Sequence, residues 1–229
     1  MKSKKHLFFD LDDTLWDFAA NSSLVLEKLF HEFELKKKLN TEYPVFLESY
    51  RKVNLQLWSL YYKKQIDKRY MRNFRFNEVF KQFDYDNYED NILISEQYML
   101  QAPHGRLLKQ GCIDTLNYLK PNYHLHIITN GFTETQAIKI DGCGLRDFFT
   151  NIIISEEHNL VKPEEKIFRL AESLAGAHPA ECVMIGDSME SDVEGAKNAG
   201  WEAIYYSESD AGKYKGWHVR NLGELQKIF

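Results

Sequence analysis

The sequence predicts an α/β fold in which a doubly wound parallel sheet carries an inserted all-helical subdomain. Short, uninterrupted apolar runs of strand length recur along the 229 residues, as is typical of strands that helices cover on both faces. Segments with helical periodicity separate the last four runs, and this alternation indicates a parallel sheet. On the order of 100 residues separate the first run from the second, far more than one crossover helix needs. The chain is therefore expected to carry an insert between its first two strands.

The predicted strands and helices of the core follow from these runs. The apolar runs cover residues 7–9, 125–128, 152–154, 182–185 and 203–205. A helix over 164–175 is predicted from the stripe of Ile167, Leu170, Ala171 and Leu174. A second, narrower stripe of Val193, Ala196 and Ala199 ends at Gly200, a residue suited to the position after a helix. A further helix is expected over 134–140.

Three amphipathic stripes predict that the insert is helical. Residues 17–100 would form this helical cap, and residues 1–16 and 101–229 the α/β core, with hinges near 15–17 and 102–105. One of three polar residues, Asn21, Ser22 or Ser23, is expected to cap the first helix. The stripes are Leu26, Leu29, Phe30 and Phe33; Phe46, Tyr50, Val53, Leu57 and Leu60; and Phe76, Val79, Phe80 and Phe83.

Composition and charge disfavour several classes of protein. A hydrophobic content of 44% is enough to bury a sizeable core. The formal net charge of -5 disfavours a globally basic nucleic-acid binder. The three cysteines form no C-x-x-C pair, which disfavours a zinc finger or a disulfide scaffold and indicates a reducing compartment.

Localisation is predicted from two absences in the sequence. No apolar stretch approaches the roughly 18 residues that a membrane span needs. Asp10 interrupts the early apolar run that would otherwise imitate a signal peptide. We therefore expect a soluble, cytoplasmic protein with no membrane partner.

Two carboxylates follow the first predicted strand directly. Asp10 and Asp12 stand at the carboxyl end of a buried strand, where parallel α/β sheets bind their ligands. Like charges this close raise each other's pKa or require a cation, and a hard divalent ion with oxygen ligands is the usual remedy. Solvated acids in a turn are the alternative interpretation of an isolated D-x-D pair.

Two more segments place polar groups beside predicted helices. Thr129-Asn130-Gly131 ends a strand just before a helix, where backbone amides bind anions, although Asn-Gly is also an ordinary turn. Lys162 precedes Pro163, which is predicted to be the first residue of the next helix. A lone lysine is usually a solvated surface charge.

A second pair of aspartates follows the 182–185 run. Asp187 ends this strand, and Asp192 stands at the start of a helix, where capping alone would explain an acid. Three separate strands thus deliver polar groups to one edge of the sheet, so coincidence is improbable. These groups are Asp10, Asp12, Thr129 and Asp187, with Lys162 nearby.

In their order these segments resemble the four motifs of the haloacid dehalogenase-like (HAD) superfamily. The matching residues are Asp10-Leu11-Asp12-Asp13-Thr14, then Thr129, then Lys162, then Gly186-Asp187-Ser188 with Ser191-Asp192. The resemblance covers nearly the whole chain and implies a Rossmann-like core with a helical C1-type cap inserted after the first motif. It also implies phosphoryl transfer, because members that cleave carbon–halogen bonds lack an aspartate at the position of Asp12.

The resemblance implies a mechanism built on the acids. Asp10 is the implied nucleophile, which forms an aspartyl-phosphate. Asp12 is the implied general acid toward the leaving group and then the base toward water. Mg²⁺ is the implied ion, held by Asp10, the backbone carbonyl of Asp12 and Asp187.

The remaining motif residues are implied to handle the phosphate. Thr129 and Lys162 would bind its oxygens as charge develops. Asp192 would orient Lys162 or a metal-bound water. Asn130, Gly131 and Ser188 complete the implied set of substrate-binding residues.

A finer resemblance concerns the substrate. The Asp-Asp-Thr-Leu run, the long helical insert, Gly111-Cys112 and Thr135-Gln136 are similar to a branch of pyrimidine 5′-nucleotidases that act on non-canonical nucleoside monophosphates. Relatives with the same motifs act on phosphoglycolate or sugar phosphates, and a phosphomutase shares the motifs, so these activities stay open. We expect a small-molecule phosphomonoester as partner, no nucleic acid, and a monomer or homodimer.

The insert contains one segment of unusual composition. Residues 61–76 hold six basic residues, five aromatics and one acid. A nucleobase could stack there while a phosphate is steered inward. A different class of function, a module that binds single-stranded nucleic acid, would use the same residues. Alternatively, the basic residues only solvate the outer face of a helix.

Overall fold

The computed structural model of the protein describes residues 4–212 and 214–229. Contacts divide the chain into two compact units, one made of Met1–Phe18 with Arg106–Phe229 and the other of Ala19–Gly105. The first unit is α/β and the second is helical. No helix in the described ranges is long and apolar enough to cross a membrane.

Six parallel strands form the sheet of the α/β unit, in the order β3-β2-β1-β4-β5-β6. This arrangement confirms the predicted fold class. The sequence pattern does not predict the edge strand β6, because only one of its three residues is buried and Trp217 is half exposed. The strands are β1 (His6–Phe9), β2 (His124–Thr129), β3 (Asn151–Ile154), β4 (Cys182–Gly186), β5 (Glu202–Tyr206) and β6 (Trp217–Val219).

The helical unit is built largely from five α-helices. They are α1 (Phe18–Glu32), α2 (Leu35–Lys38), α3 (Tyr43–Tyr62), α4 (Lys68–Phe80) and α5 (Tyr88–Gln101). Most apolar residues of the predicted stripes are buried, including Phe30, Phe46 and Phe76, whereas Leu60 is exposed. The amphipathic pattern therefore identifies the packed faces of these helices.

The predicted N-cap of α1 is wrong. The helix begins at Phe18, so Asn21, Ser22 and Ser23 lie inside it. Asn21 and Ser22 are buried, and the Ser22 hydroxyl accepts a hydrogen bond from the Tyr98 hydroxyl at 3.2 Å. Packing against α5 thus gives the Ser22 hydroxyl a hydrogen-bond partner inside the helix, where it does not act as a cap.

Four α-helices belong to the α/β unit, and two of them start differently from the prediction. They are α6 (Cys112–Leu119), α7 (Thr133–Gly142), α8 (Glu165–Ala175) and α9 (Gly195–Asn198). Pro163 is not the first residue of α8, because the Glu164 N–H donates to the Val161 carbonyl at 2.8 Å and closes a turn ahead of the helix. A π-helical turn, Met189–Glu194, precedes α9, and Gly200 follows it with φ of 79°.

Helices cover both faces of the sheet. Leu7 and Phe9 of β1 pack in one core with Leu116 of α6, and Phe8 packs in a second core with Ile167 of α8. This division follows from the alternation of side chains along a strand. Each fully buried side chain of this size contributes about 1.5–3 kcal/mol, so β1 is anchored from both sides.

The register of the central strands determines which residues lie next to each other at the carboxyl edge of the sheet. Phe9 is aligned with Ile127 on β2 and with Ile185 on β4. Because the strands are parallel, the residues that follow them emerge at the same edge of the sheet. The predicted site residues are concentrated there.

Candidate active site

The carboxyl edge of β1 and β4 brings three carboxylates together. Asp10 follows β1, and its backbone N–H donates to the Ile185 carbonyl at 2.9 Å. Asp187 follows β4, and Asp192 lies in the turn beyond it. One carboxylate oxygen of each aspartate lies within 4.8 Å of the other two. Oxygen donors grouped this closely suit a hard divalent cation.

Thr14 ties the loop after β1 to Asp187. Its hydroxyl accepts a hydrogen bond from the Asp187 N–H at 3.1 Å and donates to Asp187 Oδ1, 3.2 Å away. Asp13 has φ of 59°, a left-handed conformation that aspartate tolerates better than most residues. The sequence pattern assigns no role to Thr14, although its position four residues after Asp10 is a signal for one.

Lys162 is a buried cation held between two acids. Its side chain is 2% exposed, and Nζ lies 2.6 Å from Asp10 Oδ1 and 2.6 Å from Asp192 Oδ1. The third donor goes to the Ile128 carbonyl at 2.8 Å. All three ammonium hydrogens are therefore satisfied. Lys162 is thus not the solvated surface charge that a lone lysine usually is.

Asp192 is fully engaged by its neighbours. Oδ1 pairs with Lys162, and Oδ2 accepts the Ser188 N–H at 3.0 Å. A Cβ at Gly186 would overlap the Asp192 side chain, so only glycine leaves room for this carboxylate. The Ser188 hydroxyl in turn accepts the Ser191 N–H at 3.1 Å.

Asn130 holds the backbone at Lys162 in place. Its Nδ2 donates to the Lys162 carbonyl at 2.9 Å, and its Oδ1 accepts the Lys162 N–H at 2.9 Å. This pair of hydrogen bonds joins the end of β2 to a residue distant in sequence. Asn130 therefore helps to place the Lys162 ammonium.

Two residues of α7 that are absent from the predicted site contact Asp12. Lys139 Nζ lies 2.6 Å from Asp12 Oδ1, and Gln136 Nε2 lies 2.8 Å from Asp12 Oδ2. Gln136 Nε2 also donates to Thr129 Oγ1 at 2.7 Å. A Cβ at Gly131 would overlap the Gln136 side chain. Apart from Thr135-Gln136 in the finer resemblance, the sequence signal is that Gln136 and Lys139 stand three residues apart, on one face of a helix.

The electrostatics of the site favour a bound cation. Burial raises the pKa of Asp10 to about 7, against the attraction of Lys162. Burial, then the charges of Asp10 and Asp192, raises the pKa of Asp187 to about 8. Burial would lower the pKa of Lys162, but Asp10 and Asp192 raise it above the usual value. The acids outnumber the ammonium that neutralises them.

The basic aromatic segment 61–76 lies in the helical unit. Some of its side chains are buried inside that unit and others are exposed on its surface. Met71, Arg75 and Phe76 are buried, whereas Lys63 and Arg69 are exposed. The buried Arg75 contradicts the interpretation that all these basic residues solvate an outer face. A continuous basic surface over the whole segment is excluded for the same reason.

A comparison with protein families gives one match over most of the chain. A model described as haloacid dehalogenase-like hydrolase matches residues 4–200. This range includes every predicted site residue from Asp10 to Asp192.

Curated relatives and a solved structure agree with that match. The pyrimidine 5′-nucleotidase PynA of Streptococcus pneumoniae is 32% identical over 89% of this chain and 84% of its own. The pyrimidine 5′-nucleotidase YjjG of Escherichia coli is 30% identical over 97% of this chain and 96% of its own. The magnesium-bound crystal structure of the HAD-hydrolase YfnB from Bacillus subtilis superposes with a TM-score of 0.88, at 27% identity and 98% coverage of both chains.

Proposed function

Because this chain belongs to the haloacid dehalogenase-like hydrolase family, we propose that it is a Mg²⁺-dependent phosphatase that acts on pyrimidine nucleoside 5′-monophosphates. The reaction proceeds through a phosphoryl group carried by Asp10. The observation that carries this proposal is the buried chain of contacts from Asp192 through Lys162 to Asp10. A carboxylate oriented by a buried ammonium, at the edge where ligands bind, suits a nucleophile.

In the first step, Asp10 attacks phosphorus and the bond to the leaving oxygen breaks. The Asp12 carboxyl donates its proton to that oxygen, so the alcohol departs neutral. The Thr129 hydroxyl holds a phosphate oxygen, and the positive charge of Lys162, whose hydrogens are bound by Asp10, Asp192 and Ile128, stabilises the charge that develops. The products of this step are the alcohol and an aspartyl-phosphate on Asp10.

In the second step, the Asp12 carboxylate removes a proton from water, and the resulting hydroxide attacks the phosphorus of the aspartyl-phosphate. The bond between phosphorus and the Asp10 oxygen breaks, which releases inorganic phosphate and restores the Asp10 carboxylate. The proton stays on Asp12, so the residue is again an acid for the next cycle. Over the two steps, the phosphomonoester and water are converted to the alcohol and inorganic phosphate, and no other reactant is needed.

The acids at the edge of the sheet fit Mg²⁺. Asp10, Asp187 and the backbone carbonyl of Asp12 would hold it, while both oxygens of Asp192 are engaged by Lys162 and Ser188. The raised pKa values of Asp10 and Asp187 reflect an excess of negative charge that a divalent ion would relieve. A bound Mg²⁺ would offset the negative charge of these acids and of the phosphoryl group.

The proposal about the nucleotide rests on the two nucleotidase relatives. Phosphoglycolate and sugar phosphates are the alternative substrates, and a phosphomutase is the alternative reaction. We also propose that the helical insert acts as a cap that selects the leaving group, because the predicted phosphate-handling residues all belong to the α/β unit.

Phosphate release by the purified protein tests the proposal. We would compare ribo- and deoxynucleoside 5′-monophosphates, sugar phosphates and phosphoglycolate, each with Mg²⁺ and with a chelator, and use Asp10→Asn as the control. Mg²⁺-dependent release that favours pyrimidine monophosphates and disappears in Asp10→Asn supports the proposal. Preference for a sugar phosphate would reject the nucleotide and keep the mechanism. Full activity in Asp10→Asn, or none with any substrate, would reject the mechanism.

A further inference from the structure

Both oxygens of the Asp12 carboxylate are held by α7. The Lys139 ammonium donates to Oδ1 at 2.6 Å, and the Gln136 amide donates to Oδ2 at 2.8 Å. Hydrogen bonds from separate residues to the two oxygens restrict rotation of a carboxylate about its last torsion. Asp12 is therefore oriented by two side chains that lie more than 120 residues further along the chain.

Lys139 is itself restrained. Its side chain is 8% exposed, and Nζ lies 4.5 Å from the centre of the Trp16 ring and 5.8 Å from that of Phe18. A cation over an aromatic face is attracted to it, most strongly where water is excluded. The ammonium is thus confined between aromatic rings on one side and Asp12 on the other, which is unlike a mobile surface lysine.

Gln136 links Asp12 to Thr129. Its side chain is fully buried, and Nε2 donates to Thr129 Oγ1 at 2.7 Å as well as to Asp12. Thr129 Oγ1 also accepts the Gly131 N–H at 3.2 Å. Two accepted hydrogen bonds use both lone pairs of the hydroxyl oxygen. The remaining function of this hydroxyl is to donate its hydrogen.

The orientation of the Gln136 amide follows from these contacts. Its nitrogen faces two acceptors, and its oxygen has no hydrogen-bond partner among the described residues. Reversing the amide would place that oxygen against the Asp12 carboxylate, so the observed orientation is required. A buried amide oxygen left unpaired is rare, and such groups are often found at functional sites.

We propose that Lys139 and Gln136 are positioning residues for proton transfer and phosphate binding. Lys139 holds the Asp12 carboxyl in place to protonate the leaving oxygen. Gln136 couples Asp12 to Thr129 and directs the Thr129 hydroxyl hydrogen toward a phosphate oxygen. Neither residue touches the reacting atoms in this proposal, which rests on the proposed phosphatase function.

Leaving groups of different basicity provide the test. An alkyl phosphate, such as a nucleoside 5′-monophosphate, needs a proton on its leaving oxygen, whereas p-nitrophenolate departs without one. The ratio kcat/KM covers only the steps up to departure of the alcohol or phenolate. A defect in the general acid therefore lowers kcat/KM for the alkyl phosphate and spares that for p-nitrophenyl phosphate.

The variant Lys139→Met removes the ammonium and keeps the length of the side chain. We expect it to lower kcat/KM about 10- to 100-fold for the alkyl phosphate, a part of the range typical of general acids, and less than about threefold for p-nitrophenyl phosphate. Lys139→Arg should restore most of the loss, since a guanidinium also reaches a carboxylate. Lys166→Met removes an exposed lysine of α8 and should leave both ratios unchanged.

Equal losses on the two substrates, or no loss on either, would overturn the inference and leave the proposed function standing. A wild-type protein that hydrolyses neither substrate would overturn both. Gln136→Met provides a second variant in case Lys139→Met fails to fold. It should raise KM for both substrates through Thr129 and show the same leaving-group selectivity, and a variant without either change would contradict the inference.

Discussion

The Lys162 ammonium lies 2.6 Å from the Asp10 carboxylate, although 152 residues separate them in the chain. The same nitrogen lies 2.6 Å from Asp192. One buried cation thus compensates two buried acids, each of which would otherwise face a large desolvation cost. This arrangement makes the stability and the chemistry of the site depend on one side chain.

Removal of that cation should destabilise the protein. Lys162→Met leaves Asp10 and Asp192 buried without their partner, and breaking such a pair costs about 3–5 kcal/mol. We expect a lower urea midpoint at neutral pH together with loss of phosphatase activity. The exposed Lys166 on α8 provides a matched control, because Lys166→Met should change the midpoint little. An unchanged midpoint in Lys162→Met would contradict the compensation described here.

Mg²⁺ binding should release protons. Without the ion, burial and neighbouring acids raise the pKa of Asp187 to about 8 and burial raises that of Asp10 to about 7, so both groups are partly protonated at pH 7. Because the ion binds carboxylates, its affinity should increase with pH up to about 8 and then level off. Calorimetric titration in two buffers of different ionisation enthalpy measures the protons released. Release that is absent at pH 7, or an affinity that does not vary with pH, would contradict this prediction.

Acid should weaken the fold through a buried histidine. Burial, with a contribution from the charge of His6, lowers the pKa of His126 to about 3, while the unfolded chain keeps a value near 6.5. The unfolded state therefore binds protons first, and stability falls as the pH drops below about 6.5, by at most about 1.4 kcal/mol per pH unit. Urea unfolding at several pH values measures this slope for the wild type and for His126→Phe.

The slope should be shallower in His126→Phe between pH 6.5 and 5. The ring of His126 stacks on Phe8 at 4.4 Å between centroids, so phenylalanine preserves the shape and removes the titrating group. Equal slopes in the two proteins would assign the acid sensitivity to other residues.

Arg75 should be replaceable without loss of stability. It is 5% exposed, its Nη1 lies 3.2 Å from the Tyr50 hydroxyl, and its Nε has no hydrogen-bond partner in the described ranges. Within those ranges no carboxylate pairs with it. Arg75→Met keeps much of the volume, and the loss of the contacts with Tyr50 and the Tyr98 ring is offset by removal of a desolvated charge, so we expect a Tm close to that of the wild type. Arg75→Ala should lose about 2 kcal/mol or more because it leaves a cavity.

A Tm that falls as far in Arg75→Met as in Arg75→Ala would contradict this reasoning. It would show that the guanidinium itself, and not its volume, stabilises the helical unit. Thermal unfolding followed by circular dichroism distinguishes the two outcomes.

The local sequence pattern is sufficient to predict the strands and the helix that position the site residues. The apolar runs before Asp10 and Asp187 mark β1 and β4, because strands covered on both faces show as continuous apolar sequence. The stripe of Ile167 and Ala171 marks α8, because a helix that buries one face repeats apolar residues three and four positions apart and both residues face the core. By contrast, β6 has too little apolar sequence to be recognised, and only its parallel pairing with β5 identifies it as a strand.

The helix starts were less predictable than the helices themselves. Ser22 has the chemistry of an N-cap but lies inside α1, where the Tyr98 hydroxyl satisfies it. Pro163 has the chemistry of a first helical residue but lies in a turn that places Lys162. In the first case a tertiary contact outweighs the local preference, and in the second a turn closed by the Glu164 N–H and the Val161 carbonyl does.

The amino-acid sequence alone predicted the parallel α/β class, the helical insert and the residues that match the four motifs. It did so because these features depend on local periodicity and on residue identity at the ends of strands. The contacts that those residues make became evident only from the three-dimensional fold. Lys139 and Gln136 reach Asp12, and Thr14 reaches Asp187, through the register of the strands and the rotation of α7. Such contacts depend on relative positions in space, which periodicity along one segment does not encode.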